Sequence, residues 1–141
     1  MEAFREAEPA TRAANVALLG RLPKETGQDL DDVSRGFIGT IPDAKITGAD
    51  GRAIWDMGQF AFEAGDAECP DTVNPSLWRQ AKLNSQHGLF EVTPGVYQVR
   101  NFDLSNITFL EGERGYLIVD PLISSETAAA ALALMRHHRG D

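Results

Sequence analysis

Imidazoles and thiols, the groups best suited to nucleophilic and transition-metal chemistry, are few in this chain of 141 residues: it holds three histidines and one cysteine. His137 and His138 are adjacent, so on a helix they point about 100° apart. A helical two-histidine zinc site needs i, i+4 spacing instead. Zinc requires three or four converging ligands, and the sequence offers no cluster of that kind. His87, next to Gly88, reads like the other two as a residue at a helix end. Cys69 stands alone, which rules out an internal disulfide and a cysteine-cluster metal site; it reads as an incidental thiol in a loop. Ser124 and Ser125 lie outside any nucleophile elbow and suit the start of a helix. Gly48-Ala49-Asp50-Gly51 is too short and too acidic to cradle phosphate and reads as a hairpin loop.

Asp120 closes an apolar run, where it reads as a cap or turn former for the following helix. Ser105-Asn106-Ile107-Thr108 reads as ordinary strand and turn polarity. Trp55 and Trp78 read as core anchors rather than substrate contacts.

The pattern of apolar residues predicts the elements that carry these residues. Pro9 opens a helix over 9–22 with Val16, Leu18, Leu19 and Leu22 on one face. Leu30, Val33, Phe37 and Ile38 predict a second helix over 28–38, acidic in its first turn. Runs at 44–47 and 52–55 around Gly48–Gly51 predict a small hairpin, and 56–62 a short helix before a polar loop at 64–72. Asn74-Pro75-Ser76 starts a helix that ends near Gly88. Beyond it come strands at 89–93, 96–100 and 105–111, then an apolar run at 116–120 that reads as a strand covered on both faces. A helix capped by Ser124 or Ser125 follows, with His137, His138 and Arg139 at its C-terminal end and Gly140 as its stop. A helix after a buried strand ordinarily crosses back to a parallel neighbour. That neighbour would begin beyond Asp141, so the chain is expected to be incomplete.

Composition narrows the partners. The formal charge is −8, from 13 basic and 21 acidic residues, which argues against nucleic acid, whose phosphates need Lys/Arg-rich surfaces. No apolar stretch is long enough for a membrane span. The polar, mixed-charge N-terminus shows no signal peptide. The cytoplasm is therefore the default compartment, and the periplasm or exterior the expectation if the true start is missing.

Gly95-Val96-Tyr97-Gln98-Val99, Asn106 to Gly112 and Gly115-Tyr116-Leu117-Ile118-Val119-Asp120 resemble the opening strands of metallo-β-lactamase-fold hydrolases. A narrower set resembles the alkyl sulfatase branch of that superfamily. It comprises Arg35-Gly36-Phe37-Ile38, Gly48-Ala49-Asp50-Gly51, Trp55-Asp56, Thr72-Val73-Asn74-Pro75-Ser76-Leu77-Trp78-Arg79-Gln80, Gly88-Leu89-Phe90-Glu91-Val92, Asp103-Leu104-Ser105-Asn106 and Asp120-Pro121-Leu122-Ile123. The likeness runs over roughly residues 10–141. It implies a hydrolase that cleaves alkyl sulfate esters such as dodecyl sulfate to alcohol and sulfate. It also implies two zinc ions, a homodimer, and water activated at neutral pH. The zinc ligands of such enzymes lie in an H-x-H-x-D-H motif and later residues, none of which this chain contains. Asp120 is the one residue the resemblance carries over, as a group that orients the metal-binding loop rather than a ligand; beside it, Asn106 and Thr108 could bring polar side chains towards that site from the neighbouring strand.

The expected fold is α/β. A mainly helical N-terminal extension over 1–88 precedes, over 89–141, the first strands and first helix of an αββα sandwich, cut before the metal motif. The chain alone is expected to be inactive, with no catalytic zinc. Two other readings stand beside this one. One is a non-catalytic interaction module pairing through its strand edge; the other is a superfamily hydrolase acting on a different substrate.

Overall fold

A computed structural model describes residues 5–23, 27–41, 45–63 and 68–140. Residue 44 of the predicted hairpin and 64–67 of the predicted loop lie outside the described residues.

Helix α1 (Pro9–Leu19) begins with Pro9 in its first turn, where the missing N–H costs nothing. It stops three residues earlier than the apolar pattern suggests. Helix α3 (Pro75–Asn84) is opened by the Asn74 side chain, which accepts from the backbone N–H groups of Ser76 and Leu77. It ends at Asn84 rather than near Gly88. The hairpin forms as predicted, from β2 (Lys45–Thr47) and β3 (Ala53–Asp56), followed by a 3-10 turn over Met57–Glu63.

The second predicted helix is shorter than expected. Helix α2 (Gln28–Ser34) ends before Gly36, and Phe37 and Ile38 belong instead to strand β1 (Phe37–Gly39). Gly36 has φ of 75°, which breaks the helix, and a Cβ there would overlap the Glu91 carbonyl. The Glu91 N–H donates to the Gly36 carbonyl at 2.8 Å, so the left-handed turn delivers β1 onto the sheet. Gly36→Ala is expected to destabilise the fold by about 2 kcal/mol or more. Urea unfolding at concentrations low enough to keep the chain monomeric would measure it; a change within 0.5 kcal/mol, the noise of a neutral surface substitution at about that size, would refute the account.

One antiparallel sheet runs in the order β1-β4-β5-β6-β7, with β4 (Gly88–Thr93), β5 (Val96–Arg100), β6 (Ile107–Gly112) and β7 (Gly115–Val119) joined as a meander. Strand alternation divides its side chains. Leu89, Tyr97, Val99, Ile107 and Phe109 form the core with Ala131, Leu134 and Met135 of helix α4 (Ser125–Arg139), and Ile46 and Met57 close it. Phe90, on the opposite face, is covered by the Phe37 ring at 5.4 Å and the Arg100 guanidinium at 4.3 Å. Residues upstream of 88 thus supply an edge strand and two core side chains.

Strand β7 is open. Its apolar run reads as a strand covered on both faces in a whole sandwich and as an open, apolar edge where the following strands are lacking; here Leu117, Ile118 and Val119 are 60%, 42% and 49% exposed. Among the described residues β7 pairs only with β6, and α4 lies back over the β2–β3 hairpin and β4. Every strand pairing among the described residues is antiparallel. No described helix is long and apolar enough to cross a membrane.

Candidate functional site

The three candidate residues lie at one end of the sheet. Thr108 stands opposite Val119 in the β6–β7 register. Asn106 just before β6 and Asp120 just after β7 therefore leave the sheet at the same end. Thr108 is half-buried, and its hydroxyl accepts from the Gln98 amide at 3.3 Å, away from the α4 core. Asn106 is exposed and lines an open cleft of about 410 Å³. Asp120 is exposed, with φ of 54°. The helix is capped by Ser124 rather than by Asp120: its hydroxyl accepts from Thr127 N–H in a reciprocal capping box.

The 101–106 loop is held from two sides. Trp55 Nε1–H donates to the Asn101 carbonyl at 2.9 Å, which anchors the loop to the hairpin. On the other side sits Asp103, which is 6% exposed. Its Oδ1 accepts from Ser105 N–H at 2.7 Å, and its Oδ2 from Ile123 N–H at 2.8 Å and the Thr127 hydroxyl at 3.0 Å. One buried carboxylate therefore joins the β5–β6 loop, the β7–α4 turn and the first turn of α4. A charged acceptor makes stronger hydrogen bonds than a neutral one. Sequence reasoning missed this role. The signals at hand were the Asp-x-Ser spacing of an Asx-turn and the place of Asp103-Leu104-Ser105-Asn106 among the segments that carry the resemblance, neither of which gives the carboxylate its partners.

Arg100, also missed, lines the cleft. Its Nε–H donates to Gln98 Oε1 at 2.8 Å and its Nη1 to the Val33 carbonyl at 3.4 Å. No carboxylate of the described residues pairs with it, and burial lowers its pKa from the ordinary value. Arginine nevertheless stays charged.

Elsewhere the histidines brace β1. The Thr40 hydroxyl and His87 Nδ1 lie 2.7 Å apart, and the His138 ring packs so closely on Gly39 that a Cβ there would stand 2.6 Å from Nε2. Hydroxyl and imidazole at that distance match a nucleophile–base pair, but no described hydrogen bond orients the other ring nitrogen, so the contact fastens strand to strand. Burial lowers the His87 pKa from 6.5. The unfolded chain therefore binds the proton more readily, and stability is complete above the unfolded value and declines as pH falls below it. We expect the β1 edge to loosen from pH 7.5 towards pH 5.5, about the range where histidine titrates, and His87→Gln to flatten that dependence. Hydrogen exchange of the 36–41 segment at the two pH values would check it; an unchanged pH dependence in the variant would refute it.

Cys69 is inert by its surroundings. Its thiol donates to the Pro70 and Val73 carbonyls, and burial, then Asp71, raises its pKa. Among the described residues no three of His, Cys, Asp and Glu converge as a metal site, so they do not by themselves fit the two zinc ions that the resemblance implies. What the arrangement offers is a positioned rim: the Arg100 guanidinium, several amides, the Glu63 carboxylate and the braced 101–106 loop around a cleft, which Asn106 lines and Thr108 and Asp120 do not.

No family model matches the chain. It is 51% identical over 138 residues to a linear primary-alkylsulfatase of Pseudomonas sp., covering 98% of this chain and 20% of that protein. An alkyl/aryl-sulfatase of Saccharomyces cerevisiae is 44% identical over 136 residues, covering 96% of this chain and 21% of its own length. In structure the chain superposes on the stereoselective inverting sec-alkylsulfatase of Pseudomonas sp. with a TM-score of 0.90 and 42% identity, covering 99% of this chain and 22% of that one. The chain spans about one fifth of the length of the curated relatives it matches. By sequence and by fold together, it belongs to the alkylsulfatase family and corresponds to about one fifth of such a protein.

Proposed function

We propose that this chain is the N-terminal portion of a zinc-dependent alkyl sulfatase that hydrolyses alkyl sulfate esters, detergents among them, to alcohol and sulfate. The observation that carries the reading is identity of 51% across 98% of the chain, with the whole segment superposing on a sec-alkylsulfatase. The two zinc ions and their ligands lie outside this segment, in a metallo-β-lactamase-type sandwich whose second sheet packs beyond β7. The exposed apolar residues of β7 support that placement. The intact enzyme is a homodimer.

Within this scheme the segment is scaffold. Asp120 orients the loop that carries the metal ligands, and Asn106 and Thr108 present polar side chains on the substrate side. Substrate binding and bond cleavage belong to the whole protein.

The test is sulfate release from dodecyl sulfate and from secondary alkyl sulfates. A longer gene product carrying this segment and an H-x-H-x-D-H motif is expected to release sulfate and to lose that activity on chelation. The segment alone is expected to release none. A longer product that cleaves other esters or amides and leaves alkyl sulfates intact would overturn the assignment.

A further inference from the structure

Every described non-glycine residue with positive φ belongs to the two loops that Asp103 ties together: Asn101 at 56°, Asp120 at 54° and Leu122 at 70°. For Leu122 that conformation is costly, because its Cβ crowds the backbone and no short polar side chain compensates. Strain of this kind persists only where the surroundings over-determine it, and it gathers at functional positions. The surroundings are visible here. Leu122 is half-buried against the core, and the next residue, Ile123, gives its N–H to Asp103.

We propose that Asp103 is a positioning residue, whose carboxylate holds the strained 120–123 turn, and Asp120 with it, in the one shape the active enzyme uses. The proposal rests on the alkyl sulfatase reading for its kinetic consequence. Its structural part does not.

Three features separate this role from simple support of the helix. First, α4 already has its own cap, because Ser124 and Thr127 satisfy each other reciprocally. Second, the Asp103 bond to Ile123 leaves the helix and reaches back into the turn, restraining the residue that follows Leu122. Third, the carboxylate is buried with both oxygens engaged: Oδ1 takes one donor and Oδ2 two. An amide in its place keeps one acceptor oxygen and turns an N–H₂ group towards donors that need an acceptor. Asn at 103 therefore preserves volume while releasing one side of the tie.

The experiment uses the longer protein that carries this segment, with Asp103→Asn, Thr127→Val and Ser124→Ala compared with the parent. Amide hydrogen exchange of the 120–126 peptide, the thermal midpoint, and kcat and KM on an alkyl sulfate are read for each. Asp103→Asn is expected to speed exchange in the turn at least about tenfold and to lower kcat about 10- to 100-fold, with KM within about threefold, as misplacement of a reacting constellation does. Thr127→Val, which removes one of the two donors on Oδ2 together with the Thr127 half of the capping box, is expected to fall between in exchange and kcat, with Ser124→Ala reporting what loss of the cap does by itself. Ser124→Ala, which removes the cap and leaves the Asp103–Ile123 bond, is expected to lower the thermal midpoint while kcat stays within about twofold, because a cap supports the helix and not the turn. The idea is overturned if exchange in the turn is unchanged in Asp103→Asn, or if kcat tracks the thermal midpoint equally in Asp103→Asn and Ser124→Ala. A parent that releases no sulfate defeats the sulfatase reading instead, and the exchange comparison still decides whether Asp103 holds the turn.

Discussion

Lysines at Leu117 and Val119 together convert the isolated chain from a self-associating species into a monomer. Both side chains project from the sheet face opposite α4, since Thr108 and Leu110, their cross-strand partners, alternate with the core residues Ile107 and Phe109. Strand β7 pairs only with β6 among the described residues, so its outer backbone groups are open. An exposed apolar edge strand is a template for another copy. Sedimentation velocity at concentrations on the order of 100 μM, within the range where such edges associate, is expected to show association for the parent chain and a single slow species for the double variant. A parent chain that is monomeric, with a sharp cooperative thermal transition, would contradict the account. In the longer protein the sign reverses. If the second sheet covers β7, the same lysines bury two unpaired charges, a cost of several kcal/mol, and soluble expression should collapse. The opposite responses of chain and longer protein make this a test of where the rest of the molecule packs.

The contrast between β1 and β7 shows which parts of the fold are legible in the sequence. Strands β4, β5 and β6, the hairpin, and helices α1, α3 and α4 follow from local signals: period-2 alternation, Pro94-Gly95 in a turn, the Asn74 cap, the Ala-rich run. Strand β1 does not. Phe37 and Ile38 fall at helical spacing from Leu30 and Val33, and only pairing with β4, more than fifty residues away as Phe37 opposite Phe90, decides against the helix. In β7 the strand itself is legible, and its covering is not, because apolarity reports what a residue needs to meet and not whether this segment supplies it. The site divides similarly. Asp120 takes its role from the resemblance. Asp103 lies in a segment that also carries the resemblance, yet its role is not legible there, because two of its three donors lie 20 and 24 residues along the chain.

Phe109→Ala is expected to cost about 3–5 kcal/mol, a large share of the roughly 5–15 kcal/mol that holds an ordinary domain folded. Phe109 is fully buried at the centre of β6, opposite Tyr97 on one side and Ile118 on the other, and its ring meets Tyr116 edge-on at 6.1 Å. Truncation removes the transfer energy of a phenyl ring and leaves a cavity between sheet and helix that neither can collapse to fill, since α4 is held at its first turn by Asp103 and over the sheet by Ala131, Leu134 and Met135. Phe109→Leu, which keeps most of the volume, should cost under about 1.5 kcal/mol. Circular dichroism during urea titration, carried out in the Leu117→Lys, Val119→Lys background to keep the chain monomeric, would measure both. The difference between the two variants carries the argument. If Ala and Leu cost the same, Phe109 is not clamped between two rigid layers, and the sheet end that carries Asn106 and Asp120 has no firm floor beneath it.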